Sequence, residues 1–153
     1  MSDALGRDGI ESVERQLDGW LAELADTYDH IASVDKVDDD SVRWFVRMRG
    51  DEKEFTTVWL TLGQRTLRYD TYVMPAPEEN ARELYEQLLR RNDRLVGAHF
   101  SIGAEDGIFL RGEILTASLS FDEIDRVLGT LYAQVEQCFA GLLRVGFASR
   151  FQN

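Results

Sequence analysis

Leu84–Leu115, LYEQLLRRNDRLVGAHFSIGAEDGIFLRGEIL, decides the fold. Ala81, Leu84, Tyr85, Leu88 and Leu89 recur at helical spacing, so one stripe of a helix is apolar. Asn92-Asp93 and Gly97 bracket the exit of that helix. Val96–Ile102 and Ile108–Leu115 then alternate as strands on either side of Gly103-Ala104-Glu105-Asp106-Gly107. The glycines and the Asp-Gly pair of that connection suit positive φ and predict a hairpin. A helix feeding a hairpin directly points to helices laid on an antiparallel sheet.

Upstream, Met74-Pro75-Ala76-Pro77 stops the preceding strand. Pro77-Glu78-Glu79 reads as a helix opening, with proline in the first turn and acids near the positive dipole end. Three alternating runs precede it. Ser41–Arg49 places Val42, Trp44, Val46 and Met48 on one face and Arg43, Phe45, Arg47 and Arg49 on the other. Phe55–Leu62 sets Val58, Leu60 and Leu62 against Thr57, Trp59 and Thr61, and Thr66–Met74 follows after Gly63-Gln64-Arg65. Before them lies a first amphipathic helix from Ile10, through Val13, Leu17, Trp20, Leu21, Leu24 and Tyr28. Ser33–Asp40 is read as a charged connection. Downstream, Ser120-Phe121-Asp122-Glu123 is a capping box. It opens a long helix through Ile124, Val127, Leu128, Leu131, Val135, Cys138, Phe139, Leu142 and Leu143. The predicted fold is α+β: helix, three strands, helix, two strands, helix, with the helices on one face of an antiparallel sheet.

With 153 residues, the chain is expected to form a tail over residues 1–9 and a single domain over residues 10–150. Twenty-eight acids against seventeen Lys and Arg give a formal charge of -11, which disfavours nucleic acid and anionic lipid as partners. Cys138 is the single cysteine, so no internal disulfide forms. That thiol, with no basic and apolar leader in MSDALGRDGI, predicts a cytoplasmic protein. No membrane partner is expected.

The stretch Leu88–Leu143 resembles the YbjN-type family of bacterial sensory transduction regulators. The resemblance rests on the LLRRN helix end, the E-D-G turn with the apolar strand after it, and the S-x-D-E-x-D start of the last helix. It implies a type III secretion chaperone-like fold and a small dimeric protein that binds other polypeptides or modulates a stress or envelope response. It brings no active-site residues, and the first sixty residues match only in pattern.

If the aliphatic residues of each strand face the helices, the same alternation turns Arg43, Phe45, Arg47, Arg49, Trp59, Phe109 and Arg111 outward. Thr66–Met74 has two phases, one of which adds Arg68, Asp70 and Tyr72. Arginine and tryptophan commonly dominate protein interfaces. These residues therefore form a candidate docking face for an acidic or amphipathic polypeptide segment, or for a second subunit. The alternative is a solvated face whose arginines stack on the rings and pair with Glu113, Asp70 or helix acids. Gly129, Ala133 and Ala140 share a side of the last helix and form a candidate dimer contact; a plain surface is the competing reading.

Val37-Asp38-Asp39-Asp40 lacks the alternating ligand spacing of a calcium loop and reads as a solvated turn. Cys138 falls on an apolar stripe as a buried thiol. His30 and His99 lie too far apart to make a zinc site alone. Gly103–Gly107 joins two strands with no following lysine, unlike a phosphate cradle. No cofactor or metal is expected. The leading reading is a non-enzymatic, chaperone-like or regulatory binding module. The others are a small hydrolase or transferase using carboxylates, for which no nucleophile or metal motif is present, and single-stranded nucleic-acid binding on the arginine-aromatic face.

Overall fold

The side-chain period of two in five apolar runs and of 3.6 in three others builds a sheet with helices on one side. The computed structural model describes residues 4–152. In chain order the elements are α1 (Arg7–Thr27), β1 (Ile31–Asp38), β2 (Val42–Arg49), β3 (Phe55–Leu62), β4 (Thr66–Met74), α2 (Ala81–Asn92), β5 (His99–Ile102), β6 (Ile108–Leu115) and α3 (Phe121–Gly146). The six strands are antiparallel in the order β1-β2-β3-β4-β6-β5. The α+β class and the order of helices and hairpin are those expected.

One parity of every strand faces the helices. Trp44, Val46, Met48, Val58, Leu60, Leu67, Tyr69, Ile108 and Leu110 are buried with Leu17, Leu21 and Leu24 of α1, Leu84 and Leu88 of α2, and seven residues along α3 from Ile124 to Leu142. β4 takes the phase that buries Leu67, Tyr69, Thr71 and Val73 and exposes Arg68 and Tyr72. Among the described residues no helix is long and apolar enough to cross a membrane.

Five expectations need correction. Ser33–Asp40 is not a connection: most of it belongs to β1, an edge strand paired with β2 from Ile31 to Asp38. Asp and Lys hide its strand character, because they are depleted in strands generally but serve well on edges. Lys36 turns inward and donates to Glu14 and Asp18 of α1 at 2.8 and 3.0 Å. α1 begins at Arg7 and not at Ile10, so residues 7–9 of the expected tail are helical. Leu5 also donates its N–H to the Gln64 carbonyl, and residues 1–3 lie outside the described residues.

The opening of α2 is displaced as well. Pro77-Glu78-Glu79 stays outside the helix because the N–H groups of Glu78 and Glu79 donate to the Gly146 carbonyl at the end of α3. Their carboxylates hold Arg150 and Ser149. The helix starts at Ala81, after Asn80 in a left-handed conformation, and its expected stripe residue Leu89 is 70% exposed. In the β5–β6 turn, Glu105 and Asp106 take positive φ and the two glycines do not. Gly103 is needed there for space, since a Cβ would lie 2.5 Å from Phe109 and from the Arg111 guanidinium.

The capping box forms as expected at its serine: Ser120 Oγ accepts from the Glu123 N–H at 3.1 Å. The carboxylate of Glu123 pairs with Arg126 instead of reaching back.

Both outer strands of the sheet are guarded. β1 carries Asp35, Lys36 and Asp38 and a register irregularity between Ile31 and Ser33. On β5, the Phe100 N–H donates to Asn92 Oδ1 at 2.6 Å and Asn92 Nδ2 donates to the Phe100 carbonyl at 3.1 Å. The Asn92 amide thus occupies the place of a seventh strand. Asn92→Ala is expected to leave both backbone groups bare, to cost about 1–2 kcal/mol, and to promote edge-to-edge association. Urea denaturation and light scattering of the purified variant check this; an unchanged midpoint and mass would contradict it.

Candidate functional site

The face of the sheet turned away from the helices is lined by the second parity of each strand. Strand register sorts its residues into rows. Asp35, Phe45, Trp59, Asp70, Arg111 and His99 pair successively across all six strands. Val37, Arg43, Thr61, Arg68 and Glu113 form the next row. Tyr72 opposes Phe109, which opposes Ser101. All eight expected partner-binding residues, Arg43, Phe45, Arg47, Trp59, Arg68, Tyr72, Phe109 and Arg111, lie on this one face.

The rings and cations are stacked on one another. Phe45 and Trp59 lie 4.8 Å apart between centroids, and Tyr72 meets Phe109 edge-on at 5.4 Å. Arg43 lies 5.4 Å over Trp59, Arg47 3.6 Å over Phe55, and Arg111 4.3 Å over Phe109. Such stacking shields apolar rings and lets the guanidinium keep its hydrogen-bonding edge free for a carboxylate.

Ion pairing on the face is partial. Arg43 holds Asp39 at 3.0 Å, while Arg68 reaches Glu113 only at 4.0 Å between two exposed side chains, a contact worth little in water. Arg111 forms no ion pair among the described residues, and its Nε–H is buried without a partner. Asp70 sits between Arg68 and Arg111. Burial pushes its carboxyl above the usual carboxylate range, against the opposing pull of those two arginines. Beside these groups a basin of about 740 Å³ opens over β4 and β6 next to the start of β5, lined by Arg68, Asp70, His99, Arg111 and Glu113 among others.

Phe55 and Asp35 are face residues that sequence reading missed. Phe55 shares the parity of Thr57 and Trp59, so its place was legible. Asp35 required the unrecognised β1.

The hairpin that carries much of the face is held from the other layer. Glu136 of α3 accepts the N–H groups of Asp51 and Glu52 at 3.1 and 2.8 Å, and Tyr132 O–H donates to the Arg49 carbonyl at 2.8 Å. Gly50 is packed where a Cβ would collide with the Glu136 carboxylate and the Lys53 carbonyl. Lys53 folds over the rings of Tyr72 and Phe139 and donates to the Tyr72 carbonyl at 2.6 Å. Burial pulls its ammonium pKa down.

The remaining candidates lie elsewhere. Gly129 and Ala133 are exposed on α3, whereas Ala140 is half-buried, so the three do not form a uniform stripe. Gly129 borders a cleft of about 130 Å³ with Tyr28, His30 and Tyr132. There the His30 ring packs against Tyr132 at 4.5 Å, and Tyr28 O–H donates to Asp125. Cys138 is buried, and that burial pushes its thiol up to about 11, away from reactivity. The Asp39 carboxylate is engaged by Arg43 and by the Ser41 N–H.

Comparison with known proteins gives the same answer as the helix-hairpin-helix segment. Residues 15–144 match the family model YbjN, described as "Putative bacterial sensory transduction regulator". Uncharacterised proteins of Mycobacterium bovis and Mycobacterium tuberculosis are 35% identical over 108 residues, covering 71% of this chain and 59% of theirs. One of Mycobacterium leprae is 35% identical over 117 residues, 76% of this chain and 64% of its own. The chain spans about three-fifths of the length of the curated relatives it matches. With the family match running from α1 through most of α3, this chain belongs to the YbjN family.

Proposed function

We propose that this protein is a non-enzymatic regulatory module of the cytoplasm. It docks a polypeptide segment or a second subunit on the outer face of its sheet, in the manner of a chaperone. The observation that carries this reading is the half-buried Phe45–Trp59 stack with Arg43 over the indole, on a sheet whose edges are guarded. Membership of a family described as regulators supports it. What distinguishes this surface is its stacked rings and guanidiniums. Strand addition at an edge would have to displace the Asn92 amide or approach the charged β1, so the face is the favoured contact.

The test uses a folded Phe45→Ser/Trp59→Ser double variant beside the wild type. Capture from native lysate and measurement of oligomeric mass are run on both. A partner held at least roughly thirtyfold more weakly by the variant, or a dimer lost, is the expected result, because two ring anchors at an interface centre carry 2 kcal/mol or more. Equal capture and equal mass would remove the face from consideration.

A further inference from the structure

We propose that Lys53 is an acylation site. Its amine takes an acyl group from an activated donor, an acyl phosphate or a thioester, and the product unlatches the β2–β3 hairpin from β4 and α3. This stands apart from the docking reading above and does not depend on what occupies the outer face.

The chain carries fifteen arginines and only two lysines. Arginine supplies the cation stacked on a ring at Arg43, Arg47, Arg111 and Arg150, so stacking alone does not call for lysine at position 53. Arginine keeps its proton throughout, whereas a lysine can lose one and become a nucleophile.

The two lysines have opposite surroundings. Lys36 donates to Glu14 and Asp18 at 2.8 and 3.0 Å. Those bonds, the one to Glu14 foremost, hold its pKa above the ordinary value and keep it an ammonium. Lys53 has no carboxylate within ion-pair distance among the described residues, although Glu52 and Glu54 flank it in sequence. Its Nζ lies 5.5 Å from the ring centroids of both Tyr72 and Phe139 and donates to the Tyr72 carbonyl at 2.6 Å. The β3–β4 ladder ends at Val58 and Thr71, and Lys53 ties the hairpin to β4 one residue further on. Burial without a counter-charge lowers its pKa, which raises the neutral share of the amine at neutral pH. A neutral amine still donates one N–H to the carbonyl and leaves its lone pair for an electrophile. Lys53 is half-buried in a turn whose Asp51, Glu52 and Glu54 are exposed, so a small acyl donor has access from solvent.

In the reaction the Nζ lone pair attacks the acyl carbon and a C–N bond forms. The C–O bond to phosphate, or the C–S bond to the thiol, breaks; the leaving group departs with that electron pair, and the surplus proton on nitrogen passes to water. The resulting amide is uncharged. It loses the attraction to both rings and must fit an acyl branch beside Tyr72 and Phe139.

The experiment treats the full chain at neutral pH with acetyl phosphate and, separately, with acetyl-coenzyme A. Peptide mapping by mass spectrometry reads Lys53, Lys36 and the terminal amine. Lys53 should react at least roughly tenfold faster than Lys36 in the folded protein and at a similar rate to it in urea; the donor that gives this selectivity identifies the acyl source. Lys36 reacting as fast as Lys53 with both donors, or the same preference persisting in urea, overturns the site. Hydrogen exchange tests the latch at the Asp51 and Glu52 amides, which Glu136 accepts. The acylated protein should lose protection there by roughly tenfold or more, while Lys53→Arg keeps it and takes no acyl group at that position. Unchanged protection after acylation overturns the unlatching.

Discussion

Trp44→Ala is expected to lower the stability of the protein by about 3–5 kcal/mol, a large fraction of the about 5–15 kcal/mol a domain commonly has. Trp44 is among the largest fully buried side chains, at 1% exposure. It stands on β2 with Val46 and Met48, facing α1. Its indole N–H donates to Asp18 Oδ1 at 2.9 Å, and the same carboxylate takes Lys36 of β1. One side chain therefore fills core volume and ties α1 to the two strands at that edge. Alanine removes the ring and leaves the Asp18 carboxylate without its indole donor. Trp44→Phe separates the two effects, since it restores most of the volume and not the hydrogen bond; a loss of about 1–2 kcal/mol is expected. Urea denaturation of both variants measures this. Equal losses for the two would assign the effect to the hydrogen bond, and a negligible loss for Trp44→Ala would refute the packing argument.

The second large effect is expected at a residue without a side chain. Gly112 of β6 opposes Tyr69 of β4, and the Tyr69 ring crosses it to donate its O–H to the Gly97 carbonyl. A Cβ at position 112 would lie 2.5 Å from the Gly97 carbonyl oxygen and 2.5 Å from Tyr69 Cε2. Neither can yield cheaply. Tyr69 is buried in the core, and Gly97 is fixed by a positive φ of 77° at the turn into β5. Gly112→Ala should cost about 3 kcal/mol or more, combining overpacking with a lost buried hydrogen bond. Tyr69→Phe/Gly112→Ala should recover part of that loss, because the hydroxyl no longer has to reach its acceptor. Failure of the second substitution to recover anything would place the strain on the Gly97 carbonyl and the ring carbon, not on the hydroxyl.

The sequence and the fold agree wherever a strand or helix has one wet and one dry side. β2 and β3 alternate without a break, so both faces were legible residue by residue, including the aromatic and arginine set on the outer one. They part where tertiary contacts outweigh local preference. Asp35, Lys36 and Asp38 look like loop chemistry, but the inward Lys36 has two acids of α1 waiting for it. Glu78 and Glu79 look like a helix opening, but the end of α3 engages their backbone. Leu89 belongs to an apolar stripe by spacing, yet among the described residues it is left exposed on the outer flank of α2. The phase of β4 was ambiguous because Tyr69 and Tyr72 are both large and half-polar. Neighbours, not the strand itself, settled which one turned inward.

The grip of Glu136 and Tyr132 on the β2–β3 hairpin reaches beyond stability. The rings and guanidiniums of the outer face ride on strands whose connecting turn is anchored to a long helix in the opposite layer. A segment docking there as proposed would meet a stiff platform, and most of the conformational entropy surrendered on contact would fall on the visitor. Dissociation from such a platform would be governed by how well the ring step is covered. Ring substitutions should therefore shorten the residence time of such a segment and leave its association rate nearly unchanged.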